Sequence, residues 1–354
     1  MDFSKTIIRW YLQHKRDLPW RETTNPYHVW LSEIILQQTR VAQGLSYYNK
    51  FVSSFKTIND FAAATEQDIL KLWQGLGYYS RARNMHKTAQ VIVRDFNGIF
   101  PDNYQDLLKL KGVGAYTAAA IASFSYREPV AVVDGNVYRV LARYFGLYTD
   151  ILSAKAKKEF TALAQELLDK ASPDVFNQAI MEFGALQCVP KNPNCAVCAL
   201  NDSCYALQKK AVQDLPVKLK KTKIKQRYLN YVIFIDAHKN TLLNKRTQKD
   251  IWHNLYEFTC LEYHKNENNT KIVQDIQHQF SSYRLNSVCQ LNNEPIIHKL
   301  SHQSLHINYF EVRVDASLQN AVSVSDLHLY PFPIIIWKFI EKHFKDYFSN
   351  HLFS

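Results

Sequence analysis

The sequence lacks any apolar run that approaches the length of a membrane span, although 47% of its 354 residues are hydrophobic. Its N-terminus also lacks the apolar core of a secretory signal and instead has the spacing of an amphipathic helix. Acidic residues are comparatively few, 32 against 43 Lys and Arg, which leaves a net charge of +11. That excess suits a polyanionic partner, although basic surfaces also occur on proteins that bind none. We therefore expect a cytoplasmic protein with reduced thiols and no membrane association.

The length is sufficient for two domains with separate hydrophobic cores. Up to about residue 210 the apolar residues recur with helical spacing, whereas later stretches alternate as strands do. Residues 209–227 carry eight basic side chains and one acidic one, which is typical either of a solvated tether or of an extended linker near phosphates. We predict a helical domain over 1–208, a linker over 209–227, and an α+β domain over 228–354 with helices at Ile272–Tyr283 and Pro333–Phe348.

A Gly-Val-Gly sequence separates two helical patterns, Asp106–Leu110 and Tyr116–Phe124. Gly112 and Gly114 permit backbone geometry and close approach that side chains would block. The free N–H groups at the start of the second helix can bind a phosphate, so the pattern predicts a hairpin that binds a nucleic-acid backbone without reading bases. Lys111, within the hairpin, is expected to contact phosphate. The alternative is an ordinary helix–turn–helix corner.

Cysteine is scarce, and four of the six cysteines lie within residues 188–204, in the spacing C-x6-C-x2-C-x5-C. Four thiolates on a short segment rich in loop residues indicate a metal site in an intracellular protein. Structural zinc sites usually present two close pairs of ligands and this segment has one, but an iron–sulfur cluster also requires four thiolates. The spacing alone therefore leaves zinc and iron–sulfur open. The predicted ligands are Cys188, Cys195, Cys198 and Cys204, and the predicted core thiols are Cys260 and Cys289.

Four stretches, Leu18–Val41, Trp73–Asn84, Leu107–Arg139 and Cys188–Cys204, together resemble the helix-hairpin-helix DNA glycosylase superfamily. Within it, the chain resembles the A/G-specific adenine glycosylases of the MutY type. The resemblance implies a mainly α helix-hairpin-helix glycosylase domain whose four cysteines hold a [4Fe–4S] cluster, followed by a C-terminal α+β Nudix-like domain. It also implies base-excision repair by a monomer that hydrolyses the N-glycosidic bond of adenine in double-stranded DNA containing A:8-oxoguanine or A:G mispairs.

The proposed reaction needs two differently tuned carboxyl groups. A base in a duplex must be flipped out, and its departure requires a proton on the base and an anion near the sugar cation, much as in glycoside hydrolysis. The resemblance assigns Glu33 as the acid, Asp134 as the anion, and Asn136 as the residue that orients Asp134. Burial in an apolar helix should keep Glu33 protonated, and a helix N-terminus should keep Asp134 ionised. Without the resemblance, a solvent-facing glutamate is the favoured interpretation of Glu33. The alternative for Asp134 is a helix N-cap, a role that is compatible with the catalytic one.

Position 116 separates two subfamilies of these enzymes. In related bifunctional glycosylases, the residue two places after the second hairpin glycine is a lysine that forms a Schiff base with the sugar. Tyr116 stands there in this chain and cannot form an imine, so the sequence predicts a monofunctional enzyme in which water completes the reaction. We expect Tyr116 to hydrogen-bond near the sugar or Asp134. The rivals are a pyrimidine-lesion glycosylase with lyase activity, like endonuclease III, and a non-catalytic DNA-binding or redox-signalling protein.

The resemblance assigns further residues to DNA. Gln38 is expected to enter the duplex beside the flipped base, and Tyr78 to wedge next to the opposite base, with core packing as the alternative. Arg81 and Arg83 are expected to contact phosphates. The residues assigned to the adenine pocket are Arg16, Leu18, Trp20, Arg21, Gln178 and Met181.

In the C-terminal domain, Leu300, Ser301 and His302 occupy the place of the family's Phe-Ser-His element, which recognises the oxidised guanine. Ser301 and His302 retain the polar donors, but Leu300 cannot supply an aromatic face. The alternative is a surface Ser-His pair at a strand end. The domain lacks the Nudix catalytic glutamate motif, so we do not expect it to hydrolyse nucleotides.

Overall fold

A computed structural model describes residues 2–219 and 224–348 of the chain. They form two compact units, one of residues 2–63 with 84–219 and one of residues 64–83 with 224–348. Part of the predicted linker, residues 220–223, lies outside the described residues, and the domain boundaries at 208 and 228 stay predictions. No helix in the described ranges is long and apolar enough to cross a membrane.

Residues 2–219 are helical, as the apolar spacing predicts. The helices are α1 (Phe3–His14), α2 (Pro26–Ile35), α3 (Val41–Ser54), α4 (Ile58–Ala63), α5 (Glu66–Leu72), α6 (Ser80–Phe96), α7 (Tyr104–Leu107), α8 (Ala115–Tyr126), α9 (Gly135–Phe145), α10 (Ala154–Leu167), α11 (Pro173–Leu186) and α12 (Tyr205–Gln208). Helix α2 begins where the side chain of Asn25 accepts the N–H of Tyr27, and Pro26 fills a first-turn position that needs no N–H.

The glycine hairpin lies between α7 and α8, but its first helix starts earlier than predicted. The side chain of Asn103 accepts the N–H of Asp106, so α7 begins at Tyr104 and ends at Leu107 rather than spanning Asp106–Leu110. Gly112 has a φ of 80°, in the left-handed region, and a Cβ there would lie 2.8 Å from Cβ of Asn84. The hairpin therefore requires glycine at this position. The same expectation is wrong for Gly114, which has an ordinary φ of −87° and no atom within 4 Å of an added Cβ.

The core beneath the active-site helices packs α1, α9, α10 and α11 together. Its buried side chains include Ile7, Val137, Leu141, Phe160, Phe176 and Phe183. Gly184 brings α11 against the start of α9, because a Cβ there would lie 2.6 Å from Cβ of Asn136 and 3.0 Å from its carbonyl oxygen. The close approach of these two helices thus depends on a missing side chain.

We expect Gly184→Ala to lower the free energy of unfolding by roughly 1–3 kcal/mol, because the added methyl group must push α11 away from backbone atoms of α9. Gly135→Ala is the matched control, since nothing lies within 4 Å of a Cβ added there. Urea denaturation of both variants measures the difference. Equal stability of the two would contradict the close-packing argument.

The second unit contains a mixed five-stranded sheet in the order β5-β1-β8-β6, with β7 also paired to β8. Strands β1 and β8 run parallel, and the other pairs in this sheet are antiparallel. The strands are β1 (Lys225–Ile235), β2 (Asn240–Thr241), β3 (Asn244–Lys245), β4 (Tyr256–Glu257), β5 (Thr259–Tyr263), β6 (Leu285–Gln290), β7 (Ile296–Lys299), β8 (Gln303–Val314) and β9 (Val322–Ser323). The predicted α+β class is confirmed.

Two features of this unit differ from the sequence-based expectation. Strands β6 and β7 have no clear signature in the sequence, because every one of their side chains is partly or fully exposed and their apolar alternation is weak. The helices α13 (Asn269–Gln279) and α14 (Ile334–His343) end earlier than the predicted stretches, which continue as short 3-10 turns.

Candidate active site

An open cleft of about 1120 Å³ in the first unit brings together most of the residues assigned to catalysis and to the adenine pocket. The assigned residues that line it are Arg16, Leu18, Trp20, Arg21, Glu33, Gln38, Gly112, Gly114, Tyr116, Asp134, Asn136, Gln178 and Met181. Lys111 is exposed on the hairpin, and its carbonyl oxygen accepts the hydroxyl of Thr88. Residues separated by more than a hundred positions in the sequence therefore line one cleft.

Glu33 is buried on α2, with 7% of its surface exposed. Burial, the largest cause, and the charge of Asp134 together raise its pKa to about 7, against the opposing effects of a hydrogen bond from Tyr116 and the charge of Arg21. The solvent-facing alternative does not describe this side chain. Near neutral pH, Glu33 can hold a proton and release it to a neighbouring acceptor.

Asp134 is the N-cap of α9 and accepts three hydrogen bonds. Its Oδ1 accepts the N–H groups of Asn136 and Val137, both at 2.8 Å, and its Oδ2 accepts the amide of Asn136 at 2.7 Å. Burial raises the pKa of Asp134, which the helix-start expectation did not include, while these donors and Arg139 lower it. The net result is a pKa of Asp134 above its ordinary value, contrary to the helix-start expectation. Because Asp134 accepts three hydrogen bonds and Glu33 accepts one from Tyr116, we expect Asp134 to ionise before Glu33.

Tyr116 extends from the first turn of α8 and donates its hydroxyl to Oε2 of Glu33 at 2.6 Å. Its expected protein partner was Asp134, and the structure gives it Glu33 instead. The one lysine among the cleft-lining residues that the structure describes is Lys157, at the start of α10, which sequence reasoning did not single out. Tyr116 thus fixes the acid, and no lysine occupies its position.

Arg16 and Arg21, assigned to the adenine pocket, both pair with Glu182 on α11. Sequence reasoning missed this buried acid, because 161 residues separate it from Arg21 and nothing local marks the pairing. Gln178, one turn earlier on α11, accepts the hydroxyl of Tyr11 at 2.8 Å. Several polar side chains that line the cleft therefore already have hydrogen-bond partners within the protein.

The two residues assigned to enter the duplex share an uncommon backbone conformation. Gln38 has a φ of 56° and Tyr78 a φ of 46°, both in the left-handed region that side chains rarely adopt. Tyr78 is 47% exposed, whereas its neighbour Tyr79 is buried as expected for core packing. Nine other non-glycine residues in the described part of the chain also have a positive φ, so the exposure of the Tyr78 ring, and not the backbone conformation, favours a functional interpretation.

Arg81 and Arg83, in the second unit, are engaged by neighbouring groups. The Arg81 guanidinium lies 5.0 Å from the ring of Trp73, and burial lowers its pKa to about 10. Arg83 donates to the carbonyl oxygen of His253 at 2.8 Å. Their contacts with phosphates stay predictions, and those contacts would require the guanidinium groups to share or exchange these partners.

The four clustered cysteines line one small cavity of about 30 Å³. Arg143, from α9, lies with Nη1 3.4 Å from Sγ of Cys188 and also donates to the carbonyl oxygens of Val189 and Pro190. Arg139, one turn earlier, donates hydrogen bonds both to the carbonyl oxygen of Cys188 and to Oδ1 of Asn136. Across residues 2–219 and 224–348, no three potential ligands have the spacing for a single metal ion.

The two remaining cysteines differ in their surroundings. Cys260 is partly buried, but Cys289 is exposed, so the predicted core position of Cys289 is wrong. Cys289 lies on β6, whose alternate side chains face solvent.

Leu300, Ser301 and His302 form the turn between β7 and β8, where the N–H of Leu300 donates to the carbonyl of Gln303. Ser301 and His302 are both exposed and lie 3.1 Å apart, from Oγ to Nδ1. Strand β8 begins directly after this turn, at Gln303. The structure thus presents two polar donors at a hairpin tip.

Comparison with known proteins places this site in a family. The model of the HhH-GPD superfamily base excision DNA repair proteins matches residues 31–170, and the NUDIX domain model matches residues 230–342. The adenine DNA glycosylase of Buchnera aphidicola (Acyrthosiphon pisum) is 34% identical over 88% of this chain and 87% of its own length. That of Rattus norvegicus is 43% identical over 58% of this chain and 42% of its own length.

A solved thermostable thymine-DNA glycosylase has a TM-score of 0.55 and 32% identity, and covers 58% of this chain and 95% of its own. These matches confirm the class, a DNA glycosylase of the helix-hairpin-helix base-excision repair superfamily with a C-terminal Nudix-like domain. Within that class, the chain belongs to the adenine DNA glycosylase family.

The raised pKa of Glu33 has a consequence for stability. Unfolded, the carboxyl releases its proton above about pH 4.5, whereas in the folded protein it keeps the proton up to about pH 7. Stability is therefore lost as the pH rises through this window, by about 3 kcal/mol for a single group. We expect Glu33→Gln, which cannot ionise, to become more stable than the wild type by about this amount at pH 8.

Urea denaturation between pH 4.5 and pH 8 measures this gain, with the exposed substitution Glu166→Gln on α10 as the control. The control should follow the wild type at every pH. A Glu33→Gln difference that does not change with pH would contradict a proton held by burial.

Proposed function

We propose that the protein is a monofunctional glycosylase that removes adenine opposite 8-oxoguanine or guanine in double-stranded DNA. The observation that carries the proposal is a pair of carboxyls in one cleft: Glu33 is buried and accepts one hydrogen bond, and Asp134 is partly buried and accepts three. We propose that it acts as a monomer on chromosomal DNA in the cytoplasm, with catalysis in 1–208, a linker in 209–227 and lesion recognition in 228–354.

In the proposed reaction, a ring nitrogen of the flipped-out adenine takes the proton of Glu33 as the bond between base and sugar breaks. The bonding electron pair leaves with the base, and the positive charge on the sugar is stabilised or captured by the carboxylate of Asp134. Water then adds to the sugar and returns its proton to Glu33. Tyr116 holds Glu33 in place, and Asn136 holds Asp134.

The four clustered cysteines fit a [4Fe–4S] cluster, because their thiols share one cavity beside the positive charge of Arg143. The ligands would be Cys188, Cys195, Cys198 and Cys204. The cluster would cross-link the loop of residues 188–204 and orient the exposed Lys191 toward DNA. Its contribution is structural, and it takes no part in breaking the glycosidic bond.

For DNA binding, we propose that Gln38 and Tyr78 enter the duplex and that the hairpin at Gly112 and Gly114 binds backbone phosphate. The exposed ring of Tyr78 and the start of α8, which no side chain caps, support this arrangement. Further phosphate contacts are proposed for Lys111, Arg81 and Arg83.

The proposal is tested by release of free adenine from an A:8-oxoguanine duplex under single-turnover conditions. Glu33→Gln should lose at least about 10²-fold in rate, because no proton reaches the base. Asp134→Asn should bind the duplex like the wild type without releasing adenine. Glu166→Gln should excise normally. Wild-type rates in either active-site variant would refute the assigned carboxyls.

Treatment with borohydride separates the proposal from a lyase mechanism like that of endonuclease III. An imine between an amine and the sugar would be reduced to a stable protein–DNA adduct. Because Tyr116 replaces the lysine of bifunctional relatives, we expect no strong adduct. A strong adduct that disappears in Lys157→Met would assign lyase chemistry to the lysine in the cleft and contradict the monofunctional mechanism.

The turn of Leu300, Ser301 and His302 is proposed to recognise the oxidised guanine. Ser301→Ala and His302→Ala should reduce the preference for A:8-oxoguanine over A:G several-fold, because each lost hydrogen bond is worth about 1 kcal/mol. The A:G rate should stay unchanged. The ratio of single-turnover rates on the two duplexes measures this, with Ser287→Ala on the exposed face of β6 as the control. An unaltered ratio would contradict a role of this turn in recognising the oxidised guanine.

A further inference from the structure

Glu182 is a buried acid at the centre of five hydrogen bonds. Its side chain is 1% exposed, although the residue lines the cleft. Oε1 accepts the backbone N–H of Arg16 at 3.0 Å, Nε of Arg16 at 2.8 Å and Nη1 of Arg21 at 3.0 Å. Oε2 accepts Nη2 of Arg16 at 2.6 Å and Nη2 of Arg21 at 2.8 Å. One carboxylate therefore fixes both guanidinium groups and the backbone at Arg16, which lies between α1 and Leu18.

The partners keep this carboxylate charged. Burial acts to raise the pKa of Glu182, but the hydrogen bonds from Arg16 and Arg21 bring it down to about 2. On the other side, the ring of Tyr11 lies 5.8 Å from the Arg21 guanidinium. Two positive charges and one negative charge are thus held together in the part of the cleft assigned to the base.

This cluster acts electrostatically on the acid. The charged and titratable groups that act on Glu33 are Tyr116 from α8, Asp134 from α9 and Arg21 from the short 3-10 turn before α2. The charge of Arg21 favours the ionised form of Glu33, and Glu182 offsets that charge at hydrogen-bond distance. Without Glu182, the acid would face the uncompensated charge of Arg21.

We propose that Glu182 is a positioning residue for adenine excision, which fixes Arg16 and Arg21 in the part of the cleft assigned to the base and screens Glu33 from the positive charge of Arg21. The inference rests on the proposed function, because it takes Glu33 as the acid. A simpler possibility is that Glu182 only supports the fold. The two differ in the pH dependence of excision, which a support of the fold would not shift.

The experiment is the single-turnover rate of adenine release from an A:G duplex as a function of pH, with the complete protein. In the wild type, the rate should fall above neutral pH as Glu33 loses its proton. In Glu182→Gln, the uncompensated charge of Arg21 should move the midpoint of this fall to lower pH by about half a unit or more, and lower the rate at pH 7.5 accordingly. Glu182→Asp, which keeps the negative charge, should bring the midpoint part of the way back to the wild-type value.

Arg21→Met gives the opposite expectation and does not depend on the stability of the Glu182 variant. Removal of that positive charge should move the midpoint to higher pH, whatever it does to binding of the base. Glu166→Gln, which removes one exposed negative charge from α10, should leave the midpoint unchanged. Circular dichroism of each variant shows that it is folded.

Midpoints that move in opposite directions in Glu182→Gln and Arg21→Met would support the proposal. If the wild type shows the fall in rate and both midpoints stay in place, the assignment of Glu182 is overturned while the proposed excision stands. If Glu182→Gln does not fold, the direction of the Arg21→Met shift decides. A wild type that releases no adenine overturns both the proposed function and this inference.

Discussion

The hydrogen bonds that Asp134 accepts at the start of α9 are the constraint on which the site depends. They begin a helix and orient a carboxylate with the same atoms, so the active site and the fold cannot be separated there. The contact of Gly184 with Asn136 brings α11 to the same point. Against this fixed anion, the apolar packing around α2 encloses Glu33 and keeps its proton. Different surroundings thus give two chemically similar groups different properties.

The same helix links this site to the cysteine loop. Arg139 and Arg143 lie one turn apart on α9, and their guanidinium groups donate to backbone carbonyls of Cys188, Val189 and Pro190. Arg139 also donates to Asn136, which itself donates to Asp134. A continuous series of hydrogen bonds therefore connects the loop to the anion. A change in the conformation of the loop would therefore alter the hydrogen bonds of Arg139 and Asn136 at the start of α9.

Much of this arrangement could be predicted from the sequence, because local patterns determine it. The glycine hairpin, the helical spacing and the four clustered cysteines each depend on residues near one another in the chain. Glu182 could not be found in this way, since its partners Arg16 and Arg21 are remote and an acid in a helix has no distinctive pattern. The edge strands β6 and β7 were missed because their exposed faces dilute the apolar alternation. The partner of Tyr116 likewise depends on tertiary packing.

The central claim is that Glu33 stays neutral at a pH at which Asp134 is already ionised. The most direct test is a carboxyl ¹³C NMR titration of the protein labelled at Glu and Asp, with Glu33→Gln and Asp134→Asn to assign the two resonances. The account predicts that Glu33 titrates near pH 7 and Asp134 at a clearly lower pH. Titration of Asp134 above Glu33, or of both groups below about pH 5, would contradict it.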